Sequence, residues 1–184
     1  MTYSNQISGK LTRSENQQGS ASLRPGYTEK RKPDSVLYYN RKLLEQDPNN
    51  GYGLFHVANY YDNKVNSDSA FVYYTKALAS GYANISCRER LAYIIMGRDK
   101  TSTLPLYYFN LNIKATQPLP GWRPYYHIAC YYANRGDLNK SIEYLEMVLA
   151  RGMRNRRMID EDPFLASIRG TDEFKKLMVK YRLE

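Results

Sequence analysis

The chain has 184 residues and is 42% hydrophobic, which suffices for one folded domain or for a repeat array that behaves as one. No apolar run approaches the ~20 residues of a bilayer-spanning helix, and residues 1–26 lack the apolar segment of a secretory signal. Composition therefore argues against a membrane-spanning or secreted protein and predicts a cytoplasmic one.

The formal net charge of +9 is unevenly distributed along the chain. Residues 1–33 hold six Lys and Arg against two Glu, and residues 118–157 hold seven against three acidic residues. Two clusters within these segments are candidate basic patches for phosphate groups. They consist of Lys30, Arg31, Lys32, Arg154, Arg156 and Arg157.

The first 33 residues are polar and show no period, so they predict a disordered or loosely docked basic tail. Asp34 is a candidate N-cap for a leading helix, which should end before Pro48. A helical repeat domain is then expected over 34–184, with units at about 52–81, 85–116 and 122–152 and a cap at 158–184. The predicted helices are 35–46, 52–63, 67–80, 85–96, 103–116, 124–135, 138–151 and 172–182.

The units are visible as internal self-similarity. A shift of 71 residues gives nine identities over the 26 residues from 56 to 81, where random pairing gives about two. A shift of 34 aligns Ala58 with Ala92, so a third copy lies between the other two. Fixed self-similarity at this period is typical of a solenoid of repeated helical hairpins.

These hairpins resemble tetratricopeptide (TPR) repeats, in which small residues such as Ala58 and Ala70 lie where two helices cross and aromatic residues such as Tyr61 and Tyr74 lie beside them. Residues 129–152 match best, and 162–174 are similar to the closing element of many bacterial TPR proteins. The resemblance implies an all-α, right-handed α-solenoid of about three TPR-like hairpins, with a leading helix and a C-terminal capping helix. In the middle unit Leu104 is expected at the position where the family prefers Ala.

In TPR arrays the first helix of each unit lines a concave groove that binds a peptide segment or a partner protein. The resemblance implies a non-catalytic interaction scaffold, and it implies a bacterial protein. The arginines expected on the groove could form charge-assisted hydrogen bonds to carboxylates, so an acidic partner is one option. Some TPR domains also grip a terminal carboxylate; two of the residues below, Asn59 and Arg123, match that clamp, whereas Phe55 and His127 do not. The groove candidates are Tyr52, Phe55, Asn59, Glu89, Arg90, Tyr93, Arg123, Tyr126, His127 and Cys130.

Two alternatives stay open. The basic clusters could bind nucleic acid, with an affinity that depends on salt. The leading helix lacks an outer neighbour, so its apolar face could support a homodimer or receive the basic tail.

Catalytic and cofactor functions are not expected. His56 and His127 tempt a metal or acid–base interpretation, but they occupy the same repeat position and no Cys or carboxylate joins them at ligand spacing. The chain has no phosphate-binding loop, nucleophile elbow or zinc-protease motif. Cys87 and Cys130 form no CxxC pair and are expected as buried, unpaired thiols.

Overall fold

The computed structural model describes residues 33–118 and 120–183, and over these residues its regular structure is entirely helical. The α-helical prediction is therefore confirmed, and the Lys30–Lys32 cluster lies outside the described residues. The elements are α1 (Pro33–Gln46), α2 (Gly51–Asn63), α3 (Ser67–Ala79), α4 (Ile85–Arg98), α5 (Leu104–Ala115), α6 (Trp122–Asn134), α7 (Leu138–Ala150), α8 (Arg156–Glu161), a 3-10 helix (Pro163–Leu165) and α9 (Asp172–Lys180).

Short polar side chains start most of these helices by accepting the free N–H groups of the first turn. Asn50, for example, accepts a hydrogen bond from Gly53 N at 3.0 Å, and Asp137 accepts one from Lys140 N at 3.2 Å. Gly136 follows α6 with φ +81°, and the next residue, Asp137, donates its backbone N–H back to Tyr132 O at 3.0 Å. Such a left-handed helix end favours glycine because it has no Cβ.

The helices form hairpins that stack on one another as a TPR-like helical solenoid. The pairs α2–α3, α4–α5 and α6–α7 each form one unit, α1 packs on α2, and α9 packs on α7. In the first unit Ala58 and Ala70 are fully buried at the crossing. In the third, Ser141 takes the place of the second alanine and donates its hydroxyl to Ala129 O at 2.9 Å.

The middle unit departs from this register. Pro105, not Leu104, is buried at the small position of α5, and Leu104 is 41% exposed. The prediction for Leu104 is wrong because Pro105 lies 13 positions after Ala92, whereas Ala70 and Ser141 lie 12 positions after Ala58 and Ala129; the extra residue falls before α5, in a unit whose connection, 99–103, is also longer than those of the other units.

Two apolar clusters fill the interior. One cluster contains buried residues of α2, α3 and α4. The other contains buried residues of α4, α5, α6, α7 and the C-terminal elements, so both clusters include residues of the middle unit. Among the described helices, none combines the length and the apolar character that crossing a bilayer requires.

Candidate functional site

The first helices of the three units, α2, α4 and α6, carry the predicted groove residues, and we call the face that they share the inner wall. Two ion pairs link neighbouring helices on this wall. Arg90 Nη1 of α4 lies 3.3 Å from Asp62 Oδ2 of α2, and Arg123 Nη2 of α6 lies 3.4 Å from Glu89 Oε2 of α4. The arginines are therefore held in place from one unit to the next.

Three of the predicted groove residues are open to solvent. Tyr52 is 55% exposed, with its ring centroid 4.2 Å from that of His56. The side chain of Arg123 is 67% exposed and that of Arg90 is nearly as open. Asn59 is half-buried, and its Oδ1 accepts a hydrogen bond from the Tyr74 hydroxyl at 2.7 Å.

A buried acid and a buried imidazole lie at the centre of the inner wall. Glu89 Oε1 lies 3.8 Å from His127 Nε2, and both side chains are more than nine-tenths buried. The rings of Tyr93 and Phe109 pack on His127 at 5.2 and 5.3 Å, and His127 Nδ1 has no hydrogen-bond partner in the described part of the chain.

Burial sets the protonation states of this pair. Desolvation, with a smaller contribution from Arg123, lowers the pKa of His127 to about 3. Desolvation raises the pKa of Glu89, while nearby arginines, Arg123 foremost, work against that shift. At neutral pH the imidazole is therefore neutral and packs as an aromatic ring.

The C-terminal elements cover two further groove candidates. The Tyr126 hydroxyl donates to Asp162 Oδ2 at 2.9 Å, and Cys130 Sγ lies 3.5 Å from the same oxygen. Phe164 also packs on Tyr93, with ring centroids 5.4 Å apart. The resemblance places Tyr126 and Cys130 on an open groove, but here both are at most 1% exposed. A docking peptide would first meet residues 162–174, which we call the closing segment.

The carboxylate clamp is not assembled on the inner wall. Phe55 is buried against Tyr74 and Tyr82, and His127 lies in the aromatic cluster just described. Asn59 and Arg123 match the clamp in sequence, but Asn59 is hydrogen-bonded to Tyr74. The other two clamp positions supply no basic group beside them, because they hold Phe55 and the buried His127.

The second basic cluster is tied to its own chain. Arg154 donates to the carbonyl oxygens of Leu149, near the end of α7, and of Met153, just after it, and Arg156 bonds to Asp160 and to the carbonyl oxygen of Leu183. The side chain of Arg157 is 83% exposed and pairs with Glu161 at 2.7 Å.

Both cysteines are buried and unpaired, as expected from the sequence. Burial raises the pKa of the Cys87 thiol to about 12, so this thiol stays protonated at neutral pH. Within the residues that the structure describes, no group of three or more His, Cys, Asp and Glu side chains is arranged to hold a metal ion.

Sequence reasoning missed the carboxylates that organise the inner wall. Asp62 bonds to Tyr74 within its own unit and to Arg90 in the next, and Asp162 also caps the 3-10 helix by accepting from Phe164 N at 2.9 Å. Asp162 directly precedes Pro163, which is a helix-start signal. The position of Asp62 carries no comparable signal.

No protein-family model and no curated protein matches this chain. Five chains of solved structures match it, among them the crystal structure of MamA. That likeness has a TM-score of 0.62 and 17% sequence identity, and it covers 81% of this chain and 84% of MamA. MamA is a TPR-like helical solenoid, so the comparison and the helical hairpins together show that this chain has a TPR-like helical repeat fold.

Proposed function

We propose that this protein is a non-catalytic scaffold that binds a segment of a partner protein along the inner wall of α2, α4 and α6. A solenoid of hairpins exposes an extended surface, and such arrays use it for binding. The observation that carries the proposal is the row of open side chains, Tyr52, Arg90 and Arg123, on three consecutive first helices.

The chemistry of these side chains favours an acidic segment. Tyr supplies a large amphipathic contact surface, and Arg gives charge-assisted hydrogen bonds to carboxylates. Each arginine already has one carboxylate on one side, which fixes its orientation and leaves its other N–H groups for a ligand. An exposed pair of this kind costs little to share, since it contributes only about 0–1 kcal/mol to stability.

A photo-crosslinking amino acid at Tyr52 tests the proposal, and Tyr107 provides a matched control. Tyr107 is 58% exposed, close to the 55% of Tyr52, but it lies on α5, a second helix. In cells of the source organism, position 52 should capture a partner that position 107 does not capture. Capture at 107 and not at 52 would place the binding surface elsewhere.

A second experiment tests the charges. The double variant Arg90→Ala and Arg123→Ala should weaken binding of the captured partner, whereas Arg157→Ala on α8 should leave binding unchanged. Circular dichroism establishes that each variant is folded. If the double variant binds as tightly as wild type, the inner-wall arginines do not recognise the partner.

Nucleic-acid binding is the weaker alternative, because Arg154, Arg156 and Arg157 are all engaged with carbonyl oxygens or carboxylates of their own chain. A filter-binding salt titration with RNA and DNA tests it: absence of retention at low salt removes the idea. Self-association through α1 is the other alternative, supported by the exposed Tyr38 and Tyr39. Light scattering that gives a strict monomer would exclude it.

A further inference from the structure

The middle unit carries a buried polar pair where its neighbours are apolar. The pair is Arg88 in α4, which is 8% exposed, and Asn112 in α5, which is 1% exposed. Arginine is almost never buried to this degree unless it is paired, so packing alone does not account for it. The residues at the same repeat positions of the flanking units are Leu54 with Ala77 and Tyr125 with Val148.

Asn112 holds the guanidinium in one orientation. Arg88 Nε donates to Asn112 Oδ1 at 2.6 Å, and Asn112 Nδ2 donates in turn to Ile85 O at 3.3 Å, which fixes the amide. The amide oxygen thus uses the inner nitrogen of the guanidinium, and the two terminal nitrogens are left over.

Those terminal nitrogens are left without a partner among the described residues. Within the part of the chain that the structure describes, neither has a hydrogen-bond partner, and no carboxylate oxygen lies within 4.0 Å of them. Among the described residues, His127 Nδ1 is the fully buried side-chain nitrogen or oxygen that has no hydrogen-bond partner. The terminal nitrogens of Arg88 also have no partner but are not fully buried, so solvent reaches them. Arg88 therefore presents an oriented pair of charged donors at the end of a buried stem.

We propose that Arg88, oriented by Asn112, binds an oxyanion: a carboxylate or phosphate group brought by a ligand or partner. The planar guanidinium matches two oxygens of such a group with two parallel hydrogen bonds, which a lysine ammonium cannot do. A bound oxyanion also supplies the direct ion pair that the guanidinium does not form with the described residues, where Glu89 acts on it only from a longer distance. The site uses neither Tyr52 nor Arg123, so it stands independently of the inner wall.

Thermal unfolding of the full chain, with inorganic phosphate or acetate added at constant ionic strength, tests this site. The Tm of wild type should rise saturably with one or both anions, by about 3–6 °C at ten times the half-saturating concentration. The variant Arg88→Leu with Asn112→Ala copies the apolar pair of the first unit, so it should fold and lose the response. The control Arg98→Leu, near the other end of α4, should keep it.

The two anions separate the possible sources of the ligand, since phosphate alone indicates a phosphorylated ligand and acetate alone a carboxylate. The proposal is overturned if neither anion raises the Tm of wild type, or if the double variant responds as wild type does, which would mean an adventitious ion only. Should the double variant not fold, Arg88→Lys keeps the charge without the planar fork. It should bind about tenfold more weakly, and equal affinity would refute the role of the fork.

Discussion

Replacing His127 by Phe should remove much of the acid sensitivity of this fold. His127 is 4% exposed, and its pKa is about 3 in the folded protein, against 6.5 for a free side chain, because burial disfavours the imidazolium. Between these two values the unfolded chain binds a proton that the folded chain does not. The stability linked to His127 is therefore fully present above pH 6.5 and is lost as the pH falls towards 3.

The size of the effect follows from the same two values. A single group of this kind changes the free energy of unfolding by up to about 1.4 kcal/mol per pH unit. Between pH 7 and pH 5, His127 alone removes about 2 kcal/mol, which is substantial against the roughly 5–15 kcal/mol of a typical domain. Glu89 acts in the opposite direction, because its raised pKa lets the folded protein take up a proton first as the pH falls.

Urea unfolding followed by circular dichroism at pH 7, 6 and 5 measures this difference. Phe suits the position because Tyr93 and Phe109 already surround the ring, and comparison of the variant with wild type separates His127 from groups that titrate in both. His56→Phe is the matched control: it changes the same repeat position, but His56 is only half-buried, so its effect should be smaller. If wild type and His127→Phe lose equal stability between pH 7 and pH 5, folding does not shift the pKa of His127. The description of His127 as a buried side chain at the centre of the inner wall would then be wrong.

Two further predictions concern stability, and thermal melts check both. Val65 has a left-handed backbone, with φ +58°, at the repeat position of Gly136. Because this conformation strains a side chain with a Cβ, Val65→Gly should stabilise the fold by about 1 kcal/mol and Gly136→Ala should destabilise it by a similar amount. A lower Tm for Val65→Gly than for wild type would contradict the strain argument. Asp162→Ala leaves the buried Tyr126 hydroxyl without its carboxylate partner and should lower the free energy of unfolding by about 1–3 kcal/mol. Asp160→Ala removes a more exposed ion pair and should lower it by less than about 1 kcal/mol. Equal losses of stability would show that Asp162 does not hold the closing segment.

The helical hairpins follow from the sequence because their signals are local. Small residues such as Ala58 and Ala129, Asn or Asp at helix starts and Gly at helix ends each act within a few residues, and together they fix the units. The register of α5 was missed because a uniform shift of 34 residues cannot reveal an extra residue between Ala92 and Pro105. The ring of Pro105, not an alanine, then occupies the small position where the two helices cross.

The site was less accessible to sequence reasoning because its decisive contacts are distant in the chain. Cys130 and Asp162 are separated by 32 residues, and no periodic pattern indicates that the closing segment covers the third unit's part of the inner wall. The burial of Glu89 beside His127 was missed for the same reason, since a charged residue at a groove position is expected to face solvent.

The longer connection in the middle unit has a consequence beyond its own hairpin. In a stacked array each unit inherits its placement from the one before, so the extra residue ahead of Pro105 helps to set how far Tyr52 at one end stands from Arg123 at the other. A partner segment bound as proposed, in contact with both residues, must match this span. Selectivity for the length of that segment would then depend on residues 99–103, which connect α4 and α5 and are not part of the inner wall.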